Sequence, residues 1–397
     1  VTGVRRVAVT GLGVVSSIGF GAAEFAASLR AGRSGARQIT VFDTEGFAHS
    51  VGCEVVGFEP SRWLSRPEAL PRAGQFAAAA ARMAVDDAGI DPTERRAVVS
   101  IGTTDGGGDR GERIAAAVLR GEEVPAGEAA LVPAASLSVG VARELGLSAV
   151  EVSTVATACA AGNYAIGDGF DAVATGDADL ALCGGADAMC RMTFTGFYRL
   201  GAVDPERCRP FDADRQGILT GEGAAVLVLE PLDAALARGA RVYAEVLGYG
   251  LNCDAGHPVA PDRDSVAACM RLALEDAGVE PAQVDLISAH GTGTKANDAT
   301  ESGAIRDVFG AVPPRTVSVK SMLGHTMGAA SALSAAASAL AIADGFVPPT
   351  INHVRTDPEC GIDCVPNQAV EAELRVVQNN ALAFGGNNSV VLFGRPS

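Results

Sequence analysis

Residues 86–92 read Asp-Asp-Ala-Gly-Ile-Asp-Pro, and residues 275–281 read Glu-Asp-Ala-Gly-Val-Glu-Pro. The match runs on without a gap into Val98-Val99-Ser100-Ile101-Gly102-Thr103 against Ile287-Ser288-Ala289-His290-Gly291-Thr292. Each copy is an alanine-rich helix, an Ala-Gly stop, a proline turn and a buried strand. A chain that carries this unit twice folds as two halves of one topology. The join falls between Arg238 and Tyr243, giving halves 1–240 and 241–397. Strands that alternate with helices and are apolar along their length need cover on both faces. The expected class is α/β with layered sheets.

A second, looser repeat concerns the chemistry. Ala149 to Val155 reads as a short buried strand, and Cys159-Ala160-Ala161-Gly162 opens a small, apolar helix ending near Gly176-Asp177. His325-Thr326-Met327-Gly328-Ala329-Ala330 opens another that ends near Asp344-Gly345. The repeat puts Cys159 and His325 at corresponding helix starts, which a pseudo-twofold axis would bring together. A helix start offers free N–H groups and the positive end of the dipole, both of which favour a thiolate. On this stretch alone, a nucleophile and a buried structural cysteine are equally good readings of Cys159. His290-Gly291-Thr292-Gly293-Thr294 follows a strand, with Asp298 and Glu301 soon after. Thus two of only five histidines stand in glycine-rich loops after buried strands. Strand ends are favoured places for chemistry in α/β sheets.

Composition removes several classes. A net charge of −16 argues against nucleic acid as a partner. Nine cysteines without CxxC or metal-ligand spacing read as reduced thiols of a cytoplasmic protein with no metal site. No uninterrupted apolar run of about 18 residues suggests a membrane span. The N-terminus enters a strand pattern without a signal-peptide core. Of 31 Lys+Arg residues only Lys295 and Lys320 are lysines, each either a residue with a specific task or a solvated charge. The glycines after Val7-Ala8-Val9-Thr10 lack the spacing of a dinucleotide fingerprint. Ile101 to Gly108 is a pocket wall or a turn. The alternating charges of Cys208 to Ala224 read as internal ion pairs supporting the fold.

With these motifs in order, the chain resembles the elongating, decarboxylating β-ketoacyl-ACP synthases. The resemblance runs from Arg5 to about Phe393. It rests on Thr157-Ala158-Cys159, His290-Gly291-Thr292-Gly293-Thr294, Lys320, Gly324-His325-Thr326-Met327-Gly328-Ala329-Ala330 and Phe384-Gly385-Gly386. It implies the thiolase fold, two duplicated halves in an α-β-α-β-α stack. It also implies decarboxylative condensation of a Cys159-bound acyl group with malonyl-ACP in fatty-acid or polyketide synthesis. The implied roles are Cys159 as nucleophile, His290 and His325 as donors to the enolate, and the N–H groups of Cys159 and Phe384 as oxyanion hole. Lys320 is expected to pair with Glu301. No cofactor is implied beyond the carrier's phosphopantetheine. The implied partners are acyl carrier protein and a second subunit, either a copy of this chain or a chain-length-factor-like relative. Arg62, Arg66 and Arg72 lie where the resemblance puts the family's carrier-docking segment; an ordinary solvated loop, or Arg72 in an internal salt bridge, is an equally good reading. Relatives with altered chemistry (cyclases, acyltransferases) and non-catalytic chain-length subunits are the alternatives; the latter lack the cysteine. The family often has Gly where Ala383 and Ser331 stand here, which bears on the mobility of the Phe384 loop.

Overall fold

The computed structural model describes residues 4–396. Ten strands carry the fold. The first half contributes β1 (Val7–Ser16), β2 (Ala97–Gly102), β3 (Val150–Val155), β4 (Leu180–Asp187) and β5 (Gly223–Pro231). The second contributes β6 (Ala244–Cys253), β7 (Leu286–Ser288), β8 (Arg315–Val317), β9 (Val376–Leu382) and β10 (Asn387–Gly394). Their order is β3-β2-β4-β5-β1 in one half and β8-β7-β9-β10-β6 in the other. The first three of each order are parallel and the last two join antiparallel. The halves meet where Val7 to Val9 of β1 pair with Ala244 to Val246 of β6. The repeat in sequence is thus a repeat in space.

Six helices complete the layers: α1 (Arg72–Ala88), α2 (Ala135–Glu144), α3 (Ala161–Thr175), α4 (Arg263–Asp276), α5 (Lys295–Phe309) and α6 (Ala330–Asp344). Three apolar cores mark their interfaces. Phe76, Leu137 and Val141 of α1 and α2 pack on Val99 and Val226 outside the first sheet. Val266, Met270 and Ile305 of α4 and α5 pack on Ile287 and Leu392 outside the second. Ile166, Val173, Leu333 and Leu340 of α3 and α6 fill the space between the sheets. The stack is therefore α-β-α-β-α. Helix α6 takes the central layer because its sequence is apolar all round. Its serines satisfy themselves, Ser334 and Ser338 donating to carbonyls one turn back at 2.7 and 2.8 Å. The segment Met327–Asp344 is long and apolar enough to cross a membrane, but 89% of it is buried in this core.

Two expectations change. Strand β3 is not buried: it ends the strand order and is half-exposed although it carries Val150, Val152 and Val155. The register of the looser repeat also shifts. Ala158 and Met327 both adopt left-handed backbone, with φ of 50° and 52°, each inside a short 3-10 turn before a 15-residue helix. Both helices then stop at a left-handed glycine, Gly176 and Gly345. Position for position, Cys159 matches Gly328 and not His325. The sequence pattern locates the helix starts, but only the backbone conformation fixes the register within the turn.

Candidate active site

The two strained turns meet at the middle of the molecule. A side chain at Gly328 would bring Cβ within 2.5 Å of the Thr103 backbone, so only glycine lets this turn lie on the end of β2. The buried Asp187 at the end of β4 holds the junction. It accepts from the N–H groups of Gly328 at 2.6 Å, Thr104 at 2.8 Å and Asp105 at 3.0 Å, and from the Thr103 hydroxyl at 2.6 Å. The Ile101 to Gly108 segment is accordingly a turn around Asp187, and none of its residues lines the central cavity. Ser331 ties α6 to α3, accepting from the Asn163 N–H at 3.0 Å.

Cys159, His290, His325, Ala383 and Phe384 line one cavity of about 280 Å³. Its outer wall is Pro258, Val259, Ala260, Pro261, Leu200 and Phe197. Cys159 is 5% exposed. Burial pushes its thiol up to about 12, against the pull of the Lys320 charge and of the Cys159 and Phe384 N–H groups. The helix start therefore does not hold a resting thiolate. Burial favours the neutral thiol, and the N–H groups of Cys159 and Phe384 face the sulfur.

His290 and His325 lie with ring centroids 5.4 Å apart, nearly perpendicular at 80°. The Nδ1 of His325 accepts the Met327 N–H at 3.1 Å, so its proton sits on Nε2. The Nδ1 of His290 lies 3.4 Å from the Lys320 ammonium, which fixes the same tautomer. Burial and Lys320 hold both imidazoles well below their ordinary pKa, with His325 adding to the effect on His290. Both are neutral Nε2–H donors at pH 7.

The loop before α5 is held from within that helix. Glu301 accepts from the N–H groups of His290 at 2.7 Å and Gly291 at 2.8 Å, and from Asn380 at 3.1 Å. Asp298 accepts from Thr292 at 3.0 Å, Gly293 at 3.2 Å and Phe211 at 2.9 Å. The expected Lys320–Glu301 pair is replaced by another contact: Lys320 donates to the His290 carbonyl at 2.6 Å. Glu301 spends its oxygens on two backbone N–H groups and the Asn380 side chain and reaches Lys320 only through its field. Both act by positioning His290.

Phe384 is 39% exposed and stacks on Phe197, with centroids 5.4 Å apart and planes at 25°. The positive-φ residues of this loop are Gly385 and Gly386, while Ala383 keeps ordinary backbone. Alanine at 383 therefore costs no strain here. Nothing in the sequence singles out Phe197. It lies on the helix Arg191–Arg199, and an aromatic residue there gives no pattern apart from core.

The three arginines of the docking segment separate, and none of them lines the cavity. Arg62 is exposed over the Trp63 ring at 5.2 Å, and Arg66 is exposed. Arg72 is not a surface charge. It grips the fully buried Glu222 carboxylate at 2.6 and 2.9 Å and donates to the Val55 carbonyl. Glu222 also accepts from the N–H groups of Val55 and Met189. The Cys208 to Ala224 segment supports the fold as expected: Arg209 pairs with Asp204 at 3.4 Å, and Arg215 with Asp357 at 2.6 Å. Arg72→Ala should lower stability by roughly 3–5 kcal/mol, because it leaves a buried carboxylate unpaired. Arg62→Glu with Arg66→Glu should leave the melting temperature within about 2 °C while raising KM for carrier-borne substrates and flattening its salt dependence. Thermal melts beside kinetics separate the two, and a kinetic loss equal on small thioesters would remove Arg62 and Arg66 from docking.

The family models agree with this geometry. Residues 4–235 match the β-ketoacyl synthase N-terminal domain, and 243–354 the C-terminal domain. The chain belongs to the β-ketoacyl synthase family. It is 39% identical to a 3-oxoacyl-[acyl-carrier-protein] synthase 2 of Synechocystis, covering 98% of each chain. It superposes on a solved structure of the ishigamide ketosynthase/chain length factor with TM-score 0.97 and 59% identity, covering 99% of this chain and 100% of that one. A type II polyketide acyl-carrier protein in complex with its ketosynthase bound to the hexaketide gives 0.91 and 32%, with 99% and 100% covered. The chain is an acyltransferase of the thiolase fold that carries out the elongating condensation.

Proposed function

We propose that Cys159 carries the growing acyl chain and that His290 and His325 run the decarboxylation. The carrying observation is one cavity lined by the Cys159 thiol and by both imidazoles, whose Nδ1 atoms are taken up by the Lys320 ammonium and the Met327 N–H. The thiol attacks an acyl thioester on acyl carrier protein while the N–H groups of Cys159 and Phe384 bind the oxyanion. The C–S bond to pantetheine breaks, and the Cys159 proton leaves on the departing thiol. A malonyl thioester then loses CO2, and its enolate oxygen takes hydrogen bonds from both imidazoles. The enolate carbon attacks the acyl carbonyl, expelling the Cys159 thiolate and giving a 3-ketoacyl thioester. One proton from solvent restores the thiol, which its burial favours. Every step uses side chains and backbone donors of this chain; no metal or organic cofactor enters.

The working unit is a pair of subunits joined at β3. Its outer edge has no strand partner among the described residues, its valines are half-exposed, and the exposed Ala156 stands three residues before the nucleophile. An unpaired strand edge is a template for another strand. A chain-length-factor-like subunit is the favoured partner, because the 59% identical ishigamide protein is described as such a pair. A second copy of this chain is the other outcome. The chain should be purified alone and with a co-expressed chain-length subunit, then given acyl- and malonyl-carrier. We expect a two-subunit mass by light scattering and a 3-ketoacyl product two carbons longer. A fully active monomer would remove the β3 assembly, and a product of unchanged length would remove elongation.

A further inference from the structure

Two lysines stand in a chain of net charge −16, and Lys320 is inside the site. The other, Lys295, is exposed at the first position of α5. Its neighbours Thr294 and Ala296 line the Cys159 cavity. Lys295 itself lines an adjoining surface cleft with Gly201, Ala213, Asp214, Arg215 and Gln216. The two hollows share Ala202 and Thr294, so one trough runs from the nucleophile outward past Lys295.

The charges of this trough are already assigned, with one exception. Arg215 is fully buried and points inward: its guanidinium binds the carbonyls of Asp212, Thr294 and Lys295 at 2.9, 3.3 and 3.2 Å and the Asp357 carboxylate at 2.6 Å. It fixes the backbone of Thr294 and Lys295, and its fully buried side chain presents no charge to the cleft surface. Asp214 faces Arg355 at 3.5 Å. Asp254, on the other wall, accepts from Asn388 at 2.6 Å and from the Asp262 N–H at 3.0 Å. Among the described residues lining either hollow, Lys295 is the one cation with no carboxylate within ion-pair distance. The Lys295 charge reaches the Asp357 carboxylate only through its field, and an exposed ammonium without an ion pair, on a fixed backbone beside the route to Cys159, is suited to one anion on the substrate.

The substrate arm supplies that anion. On the ketosynthase reading, on which this step rests, the thioester lies against Cys159 and the arm leads out of the cavity to a phosphodiester. The apolar wall of Pro258 to Pro261 suits the pantetheine chain and offers nothing to the phosphate. We propose that Lys295 holds the phosphate of the phosphopantetheine arm while the thioester reacts, and so positions carrier-borne and phosphorylated substrates alike. A lysine is a strongly hydrated point charge on a flexible stem, which fits an exposed phosphate that must come and go each cycle.

Cys159 acylation by the full chain, with its partner subunit, should be followed by intact mass with three donors: acyl-carrier protein, acyl-phosphopantetheine and acyl-pantetheine without phosphate. Lys295→Gln should raise KM about 5-fold for the first two, the size of one exposed ion pair, and leave acyl-pantetheine and kcat unchanged. Lys295→Arg should restore the wild-type KM. An equal loss with acyl-pantetheine, or a loss confined to intact carrier protein, would overturn the phosphate contact. Failure of the wild-type Cys159 to acylate with any donor would instead overturn the ketosynthase reading beneath it.

Discussion

Cys159→Ala protein incubated with acyl-carrier protein should show no acyl mass increment, and condensation should fall by at least about 10³-fold. Two N–H groups converge on this sulfur, and both imidazoles line its cavity. Of the other free cysteines seven are buried elsewhere in the fold, with Cys53 and Cys208 near the site but turned to carbonyls of Met322 and Thr292. Cys253 is exposed and faces the Gly385 carbonyl at 3.5 Å, beside the Phe384 loop. It is the one rival an acylating reagent could reach. Intact mass of Cys159→Ala and Cys253→Ala separates them: the increment should vanish in the first and persist in the second. The reverse pattern would move the nucleophile to the loop. Cys159→Ala should cost little stability, since it removes one small buried sulfur and breaks no buried network.

Much of this is legible in the sequence. The duplication predicts two halves, because matching stop signals at Gly89 and Gly278 end in matching left-handed caps, with φ of 61° and 62°. Cys159, His290 and His325 are legible because their loops are glycine-rich and follow apolar strands. Three things are not. Burial of β3 fails because Val150, Val152 and Val155 read the same in a strand that ends a sheet as in one at its centre. The partner of Lys320 fails because charge alone suggests Glu301, whereas two backbone N–H groups of the His290 loop claim that carboxylate. Arg72 fails because three arginines in one segment look alike in sequence. An internal ion pair at Arg72, next to a helix start, is one of the two readings the sequence leaves open; only the fold decides for it and names the partner, a buried glutamate 150 residues away. In each case a tertiary contact decides between partners that local sequence leaves equal.

His290→Ala or His325→Ala should lower decarboxylation of malonyl-carrier by roughly 10²–10³-fold, the loss for one oxyanion donor. The measurement is cleanest in a Cys159→Gln background, where glutamine imitates the acylated thiol and CO2 release can be read without condensation. The two variants should differ in what else they disturb. His325 is pinned by its backbone, donating to the Leu219 carbonyl at 2.6 Å and accepting from the Gly221 N–H at 2.9 Å, so removing its ring keeps these two bonds and costs the turn only the neutral Met327 N–H contact at Nδ1. The His290 ring is the neighbour that receives the Lys320 ammonium at Nδ1, so its removal also leaves a buried charge with fewer partners. His290→Ala should therefore lose stability as well as decarboxylation. The pH dependence follows from sign. Both imidazoles have folded pKa values depressed below 6.5, so they stay neutral donors as pH falls through neutrality. The unfolded chain takes up those protons first, below about pH 6.5, so stability falls there while decarboxylation per folded molecule stays flat. A decarboxylation step titrating near pH 6.5 with no change in folded fraction would mean that burial and Lys320 do not hold the imidazoles neutral. Full CO2 release by both histidine variants would remove them from the enolate altogether.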